Sequence, residues 1–372
     1  MVSCVGAVRA VLEAEYPARW AADWDVVGPV CGSADIDVTR VLLAIDPTQE
    51  VVSEALALGA QMIVTHHPLH LSGIHSVTPG SVLERCIQSG LALDTVHTNG
   101  DVARPGTSDA LWSAIGLPGS PDVLEPDPAE VLDLIHVYVP SADREALTKT
   151  LSAAGAGRIG DYAECAYWVE GTGQFMPLLG SNPAVGTSGS LTAVREARVE
   201  VVCAPTQTAG VIAAMLSAHP YETPAYGVTS IRQHHSRGFG RIGDIPAIAL
   251  GALSSQVVSG LPATEGGVRV AGHPAHEITR VAVAAGSGDD AIESAAAHGA
   301  QVLITSDLRH HRSRDALDLG LSLLDVSHWA AEWPWLAHPA RAISEATNLE
   351  VVVSDIRTDP WTHNCNRFGA NE

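Results

Sequence analysis

Short apolar runs alternate with helical segments in the first part of the chain, and this alternation constrains the fold more than any other feature. Apolar runs typical of buried strands open the segments 41–46, 62–67 and 91–97. The segments 47–60 and 80–90 have apolar residues at helical spacing. Strands that alternate with helices favour an α/β fold with a mostly parallel sheet. Such sheets carry ligands at the carboxyl ends of their strands.

Two breaks separate a middle segment from the rest of the chain. Residues 116–130 hold four prolines and two glycines, which predicts a linker, and 236–246 form a second break with glycines and arginines. Between them the predicted elements follow the order β-α-β-β-α-β, typical of a ferredoxin-like sandwich. The sequence therefore predicts an α/β domain built from both chain ends, 1–125 and 237–372, with an inserted α+β domain at 126–236.

Composition excludes several classes of function. The formal net charge of −21 and the absence of a basic run argue against a nucleic-acid partner, because a phosphate backbone would be repelled. The only lysine is Lys149, so the Gly-Lys pair of a P-loop is missing. Six cysteines without a CxxC spacing predict reduced thiols in a cytoplasmic protein. No signal peptide and no apolar run of about 18 residues are found, which predicts no membrane association.

Two adjacent histidines, His66 and His67, follow the strand-type run 62–65. Side chains of consecutive strand residues diverge, so such a pair would serve two neighbouring ions better than a single ion. A histidine pair at a strand end is also compatible with a structural or solvent-exposed role, and the pair alone does not decide between these alternatives.

Two further segments bring metal-compatible groups to strand ends. His97 and Asp101 follow one strand, and His328 and Glu332 lie four residues apart on one face at the start of a helix. The HxxxE spacing of His328 and Glu332 is common by chance. Three segments that each bring metal-compatible groups to a strand end nevertheless favour a metal site. Mixed imidazole and carboxylate sets suit zinc, iron(II) or manganese. A bridging carboxylate such as Glu332 would hold two ions ~3.5–4 Å apart, as in two-metal hydrolytic sites.

Other candidates have both a functional and a structural interpretation. The turn 284–290 could hold a phosphate at a helix N-terminus or could simply be a tight connection. The motif HPYE at 219–222 favours a structural turn, although it combines an imidazole with a carboxylate. Arg241 and Arg309 could meet an anionic substrate or form ion pairs.

Several motifs, in order along the chain, resemble those of the Nif-three-like family, also labelled GTP cyclohydrolase I type II, whose members are hexamers with a dinuclear metal centre. Two positions differ from the family pattern: Ser306 replaces a glycine, and Val26 an asparagine. The similarity covers nearly the whole chain and rests on DWDVVGPVCG (23–32), the segment from AIDPT to HHPL (44–69), HTNGD with the following GTSDAL (97–117), HPYETPAY (219–226), GFGRIG (238–243), ITSDLRHH (304–311) and DVSHWAAE (325–332).

The resemblance implies two metal ions. One would be bound by His66, Asp101 and Glu332. The other would be bound by His67, His328 and the same glutamate, which bridges the pair.

The resemblance also assigns residues around these ions. His97 would lie beside the metals as an outer partner or proton carrier. Asp307 and His311 would line the cleft, and either His97 or His311 could move a proton during catalysis.

The function implied is that of a metal-dependent hydrolase in the cytoplasm. The family label suggests water attack on the guanine ring of GTP, while a phosphoester suits the metal geometry equally well. The resemblance further implies a homo-hexamer made of three dimers and a PII/CutA-like inserted domain. The alternative is a non-enzymatic metal-handling or regulatory protein whose inserted domain senses a small molecule.

Overall fold

The structure is a computed structural model and describes residues 3–127, 130–160, 162–233 and 236–364. The chain divides into two compact units, Met1–Asp127 with Ser236–Glu372, and Pro128–His235. None of the described helices has the length and apolar character needed to cross a bilayer. The cysteines at 4, 31, 86, 165 and 203 are free, and Cys365 lies outside the described residues.

The larger unit is an α/β structure with two main sheets. Its first part contains β1 (Ser3–Cys4), α1 (Val5–Glu15), β2 (Gly28–Cys31), β3 (Asp37–Val38), β4 (Arg40–Ala44), α2 (Gln49–Leu58), β5 (Met62–Thr65), α3 (Val82–Ser89), β6 (Ala92–Thr95), α4 (Thr98–Asp101), α5 (Thr107–Ala114) and β7 (Asp122–Pro126).

The smaller unit follows in the chain, and the larger unit then resumes. The smaller unit contains β8 (Glu130–Pro140), α6 (Arg144–Ala153), β9 (Tyr167–Phe175), β10 (Thr192–Cys203), α7 (Thr208–Ala218) and β11 (Tyr226–Gln233). The second part of the larger unit contains β12 (Gly238–Ala249), α8 (Leu250–Gly260), β13 (Arg269–Ala271), β14 (Glu277–Ser287), α9 (Ile292–Ala297), β15 (Val302–Ser306), α10 (His310–Asp318), β16 (Ser322–Val326), α11 (His328–Glu332), α12 (Ala337–Thr347) and β17 (Glu350–Val353).

Both main sheets are mixed, so the prediction of a mostly parallel sheet is wrong. In the order β17-β4-β5-β6-β2, the first four strands are parallel and β2 is antiparallel. In the order β13-β16-β15-β14-β12-β7, only β14, β15 and β16 run parallel to one another. Strand and helix alternate strictly from β4 to β6 and from β14 to β16, and these are the strands that pair in parallel within each sheet.

The two predicted breaks are in fact paired strands. β7 lies inside the predicted linker 116–130, and β12 lies across the second break at 236–246. They pair antiparallel with each other, with Gly238 opposite Pro126. The apolar side chains of Leu124 and Ile242 are buried in the core, and this burial overrides the local signal of the surrounding prolines and glycines.

The parallel centres of the two sheets repeat the same local structure. Gln61 precedes β5, and its Oε1 accepts hydrogen bonds from the Thr39 N–H (2.8 Å) and the Arg40 N–H (3.1 Å). Gln301 precedes β15, and its Oε1 accepts from the Thr279 N–H (2.7 Å) and the Arg280 N–H (3.1 Å). Each glutamine thus joins the start of one parallel strand to the next.

Arg241 forms a buried ion pair, which decides between the two interpretations of this residue. Its side chain is fully buried on β12, where Nε and Nη2 donate to both oxygens of Asp109 at 2.9 and 2.6 Å. The remaining N–H groups donate to the carbonyls of Gly238, Gly240 and Ala103. All five donors are satisfied, so this arginine joins β12 to α5 and the loop before it instead of facing a ligand.

The smaller unit has one antiparallel sheet in the order β11-β8-β10-β9. One face of this sheet packs against α6 and α7, where Ile135, Val137 and Val199 meet Leu151 and Met215 in a single apolar cluster. The other face carries polar and aromatic side chains.

Candidate metal centre

The candidate site lies where parallel strands from both sheets of the larger unit end. His66 and His67 follow β5, and His97 follows β6 in the same sheet. His328 and Glu332 belong to α11, which begins directly after β16 of the other sheet. The sequence rule that ligands gather at strand carboxyl ends therefore applies to two sheets facing one site.

Glu332 lies at the centre of this group and is only 2% exposed. Its Oε1 lies 3.0 Å from His328 Nε2 and 3.5 Å from His66 Nε2, while Oε2 lies 3.0 Å from His67 Nε2. Asp101 at the end of α4 approaches from the other side, with Oδ1 3.6 Å from His66 Nε2. One buried carboxylate thus contacts three imidazoles.

Three overlapping sets of side chains place their ligand atoms within 4.8 Å of one another. They are His66, Asp101 and Glu332; His67, His328 and Glu332; and His66, His67 and His97. The third set shows that the adjacent histidines converge, contrary to the expectation for consecutive strand residues. The reason is that β5 ends at Thr65, so strand alternation no longer applies to the pair.

All four histidines are held in the same way, by a hydrogen bond from Nδ1 to an oxygen acceptor. A carbonyl or carboxylate oxygen carries no proton, so each Nδ1 is the donor and each Nε2 is directed elsewhere. This is the outer arrangement that orients metal-ligating histidines. The pairs are His66 with the Val96 carbonyl (2.9 Å), His67 with Asp46 (2.7 Å), His97 with Asp25 (2.9 Å) and His328 with Asp307 (2.6 Å).

Two of these acceptors, Asp46 and Asp25, have no role among the sequence predictions. Asp46 follows β4 in the same way as His66 and His67 follow β5, so the strand-end rule could have identified it. Asp25 lies in a loop before β2 and also accepts a hydrogen bond from the Thr98 N–H at 3.1 Å. The only sequence signal for Asp25 is its place in the motif at 23–32.

The charges in the site favour cations. Burial disfavours a charged His67, but Glu332 and Asp46 outweigh it and raise the pKa of this imidazole to about 10. Burial is likewise outweighed at His328, where Glu332 and Asp307 raise the pKa to about 11. Burial alone would raise the pKa of Glu332, yet the surrounding imidazoles hold it well below its ordinary value. The buried carboxylate is therefore stabilised by positive charge.

Two buried atoms in the centre have no hydrogen-bond partner among the described residues. They are Nε2 of His66 and Oε2 of Glu332, and both face the shared space. The contact of this Oε2 with His67 is short but lacks the alignment of a hydrogen bond. Buried polar atoms are normally paired, so these residues fit a bound cation.

Comparison with known proteins agrees with this geometry. The sequence matches the family model of Duf34/NIF3 (NGG1p interacting factor 3) over residues 4–360. The chain belongs to the DUF34/NIF3 family. This finding confirms the resemblance drawn from the sequence motifs.

Relatives of this DUF34/NIF3 protein match over almost their whole length. A Mycobacterium tuberculosis protein named GTP cyclohydrolase 1 type 2 homolog is 42% identical over 361 residues, which cover 94% of each chain. The crystal structure of a Bacillus cereus protein related to NIF3 is 33% identical, with a TM-score of 0.76 over 98% of this chain and 100% of that one. A Staphylococcus aureus structure gives a TM-score of 0.82 at 26% identity, over 98% and 99%.

The glycine-rich turn of this DUF34/NIF3 protein faces the candidate metal centre. Gly286 has a φ of +74°, and a Cβ built there would lie 2.3 Å from Glu332 Oε1 and 3.3 Å from His328 Nε2. The turn therefore leaves room for the carboxylate. The Gly286 carbonyl also accepts a hydrogen bond from Thr305 Oγ1, so a tight connection is the better interpretation of this segment.

Gly286→Ala is expected to weaken metal binding by roughly tenfold to a hundredfold, because the added methyl group displaces the Glu332 carboxylate. Metal affinity measured by competition with a chromogenic chelator tests this. Gly299→Ala is the matched control, since Gly299 has nearly the same φ, +76°, and the closest atom to its Cβ is 4.0 Å away. Equal losses in both variants would assign the effect to backbone strain.

His311 lies apart from the three ligand sets. It is exposed on α10, and its ring packs against His310 with the centroids 5.2 Å apart. Asp307, in contrast, is connected to the candidate site because it accepts the hydrogen bond from His328 Nδ1. Its backbone is left-handed, with a φ of +58°. Aspartate tolerates the left-handed backbone region better than most residues. Backbone strain of this kind is often found at functional sites.

Proposed function

We propose that this protein is a metal-dependent hydrolase with a centre for two divalent ions, zinc, iron(II) or manganese. His66, Asp101 and Glu332 would hold one ion, and His67 and His328 would hold the other with the same glutamate as bridge. The observation that supports this most is the buried Glu332 carboxylate, which lies among three imidazole Nε2 atoms within 3.5 Å. Two ligand sets that share one carboxylate suit a pair of ions.

The chain's own residues have distinct parts in the proposed reaction. When bound, two divalent ions polarise an electrophile and bring the pKa of a water close to neutrality. His97 is the proposed proton carrier, because Asp25 holds its Nδ1 at 2.9 Å and its ring packs 5.2 Å from that of His66. Asp46 and Asp307 fix the imidazoles of His67 and His328.

The substrate we propose is nucleotide-like, in keeping with the name of the relatives. A cavity of about 790 Å³ adjoins His67 and His328, which is large enough for such a molecule. Trp361 is 67% exposed on its lining and offers an aromatic face. The cavity lining carries several carboxylates, among them Asp46 and Asp307, and an arginine, Arg269, which pairs with Asp325. The ions would add positive charge for a phosphate-bearing substrate.

The proposal also includes a PII/CutA-like fold for the smaller unit and a homo-hexameric assembly of the chain. The order β11-β8-β10-β9 with two helices on one face supports a ferredoxin-like, PII/CutA-like unit. A homo-hexamer of three dimers rests on the family resemblance alone. Sedimentation of the purified protein would test it.

Screening for turnover is the direct test of the proposed activity. Protein loaded with Zn²⁺, Mn²⁺ or Fe²⁺ is expected to hydrolyse GTP or a member of a phosphodiester panel, and chelation should abolish the reaction. His97→Ala should lower the rate by about 10²–10⁴-fold if this residue carries the proton. His311→Ala, exposed on α10, is the control and should leave the rate unchanged.

Metal content distinguishes the remaining outcomes. If His97→Ala loses metal together with activity, His97 is a ligand and not a proton carrier. If the protein retains its metal but hydrolyses no compound in the panel, the hydrolase proposal fails and the non-enzymatic metal-handling alternative is favoured.

A further inference from the structure

The smaller unit contains a cavity of about 480 Å³ that the metal chemistry does not use. Tyr138 of β8 and Phe175 of β9 line it, together with residues from the segments 177–184 and 221–225. All these residues lie within Pro128–His235. The volume falls in the range of about 300–1,000 Å³ typical of small-molecule sites.

A buried carboxylate with one free oxygen lies in this cavity. Glu196 of β10 is 9% exposed, and its Oε1 accepts a hydrogen bond from the Tyr221 hydroxyl at 2.8 Å. Its Oε2 has no hydrogen-bond partner in the described part of the chain and is open to the cavity, and no arginine or lysine there forms an ion pair with the carboxylate. A buried carboxylate in this state is stabilised by a cation or by a strong donor.

The neighbouring strand leaves space for this oxygen. A Cβ built on Gly173 of β9 would lie 1.9 Å from Glu196 Oε2. Since Gly173 does not have a positive φ, its backbone would tolerate other residues. The missing side chain at Gly173 therefore leaves room for the carboxylate in its present position.

Aromatic rings form the walls around the carboxylate. The rings of Phe175 and Tyr221 have centroids 5.9 Å apart, and Tyr138 lines the same cavity. His219 fixes Tyr221, because its Nδ1 accepts the Tyr221 N–H at 3.0 Å while its Nε2 donates to the Tyr138 carbonyl at 2.9 Å. The motif 219–222, whose sequence favours a structural turn, thus positions one wall of a cavity.

The charge of the lining is negative. Glu222 lies on the same cavity, where its Oε2 accepts the Asn182 N–H at 3.0 Å and ties the segment 177–184 in place. No lysine or arginine belongs to the described lining. Arg198 lines an adjoining recess but pairs with Glu200 at 2.9 Å.

We propose that this cavity binds a small organic monocation, an ammonium or amidinium group on an apolar body. The charged group lies against Glu196 Oε2, and the body packs between the rings of Tyr138, Phe175 and Tyr221. Aromatic faces next to a carboxylate are the recognised environment for such cations. The site stands independently of the hydrolase proposal, since it uses none of the metal-centre residues.

Matched probes on the full-length protein test the charge requirement. Benzamidine and phenethylamine are expected to bind in calorimetry or ligand-observed NMR with Kd at or below about 1 mM. Benzamide, which has almost the shape of benzamidine without the charge, should bind at least about tenfold more weakly. Equal binding of benzamide and benzamidine, or no binding of either cation at that concentration, would overturn the proposal.

Variants locate the site. Glu196→Gln should weaken benzamidine binding at least about tenfold. Glu145→Gln, an exposed acid on α6 that pairs with Lys149, should not change it. If Glu196→Gln fails to fold, Gly173→Ala provides the second test, because it keeps every charge but fills the space beside Oε2. Unchanged affinity in Gly173→Ala would show that the cation binds elsewhere.

Discussion

Glu332→Gln is expected to abolish stable metal binding, with the affinity falling by more than about a hundredfold. Loss of an outer partner of a metal ligand costs about 10–100-fold, and Glu332 is the single carboxylate shared by two ligand sets. The amide removes the negative charge that offsets the cations while keeping the shape of the side chain. Metal per chain after dialysis, measured by plasma mass spectrometry, tests this expectation.

A matched acid in the same unit is the control for this substitution. Glu293 is exposed and pairs with Arg312 on the surface, so Glu293→Gln should retain the wild-type metal content. Circular dichroism of both variants shows whether the fold persists. Full metal occupancy in folded Glu332→Gln protein would exclude the proposed bridge and with it the two-ion centre.

Arg241→Met is expected to lower the free energy of unfolding by about 3–5 kcal/mol, because it leaves Asp109 and three carbonyls without their buried donor. The arginine is fully buried, and its carboxylate partner is 16% exposed at the side chain. Asp109 still accepts the Gly106 N–H at 2.8 Å, which limits the loss. Urea denaturation of the two proteins measures the difference.

A surface pair gives the comparison for this effect. Arg280 pairs with Asp244, which is 77% exposed at the side chain, so Arg280→Met should cost only about 0–1 kcal/mol. Arg241→Met combined with Asp109→Leu should be less destabilised than the single variant, because the unpaired charge is then absent. A loss in Arg241→Met no greater than in Arg280→Met would contradict a structural role for the buried pair.

The region around the candidate metal centre was the part of the fold that could best be predicted from sequence. Apolar runs show where β5, β6 and β16 end, and the candidate ligands follow at those ends, so His66, His97 and His328 could be identified without coordinates. The motif order also gave the family correctly. Strand ends are local features, which is why a linear pattern captures them.

Features that depend on pairing between distant segments could not be predicted. β7 and β12 look like breaks because their prolines and glycines dominate the local pattern, and only their mutual pairing makes them strands. The approach of Gly286 to Glu332 and the hydrogen bond from His97 to Asp25 likewise join segments far apart in the chain. The division into two mixed sheets follows from such pairings.

The two main sheets of the larger unit belong to separate hydrogen-bonded networks, yet the segments that follow their strands contribute side chains to one cluster of potential metal ligands. A cation bound there would cross-link them, so the free energy of unfolding of this unit would rise with free ion concentration once that exceeds the dissociation constant. The abundance of the folded protein in a cell would then track the supply of metal, irrespective of any reaction that the centre performs.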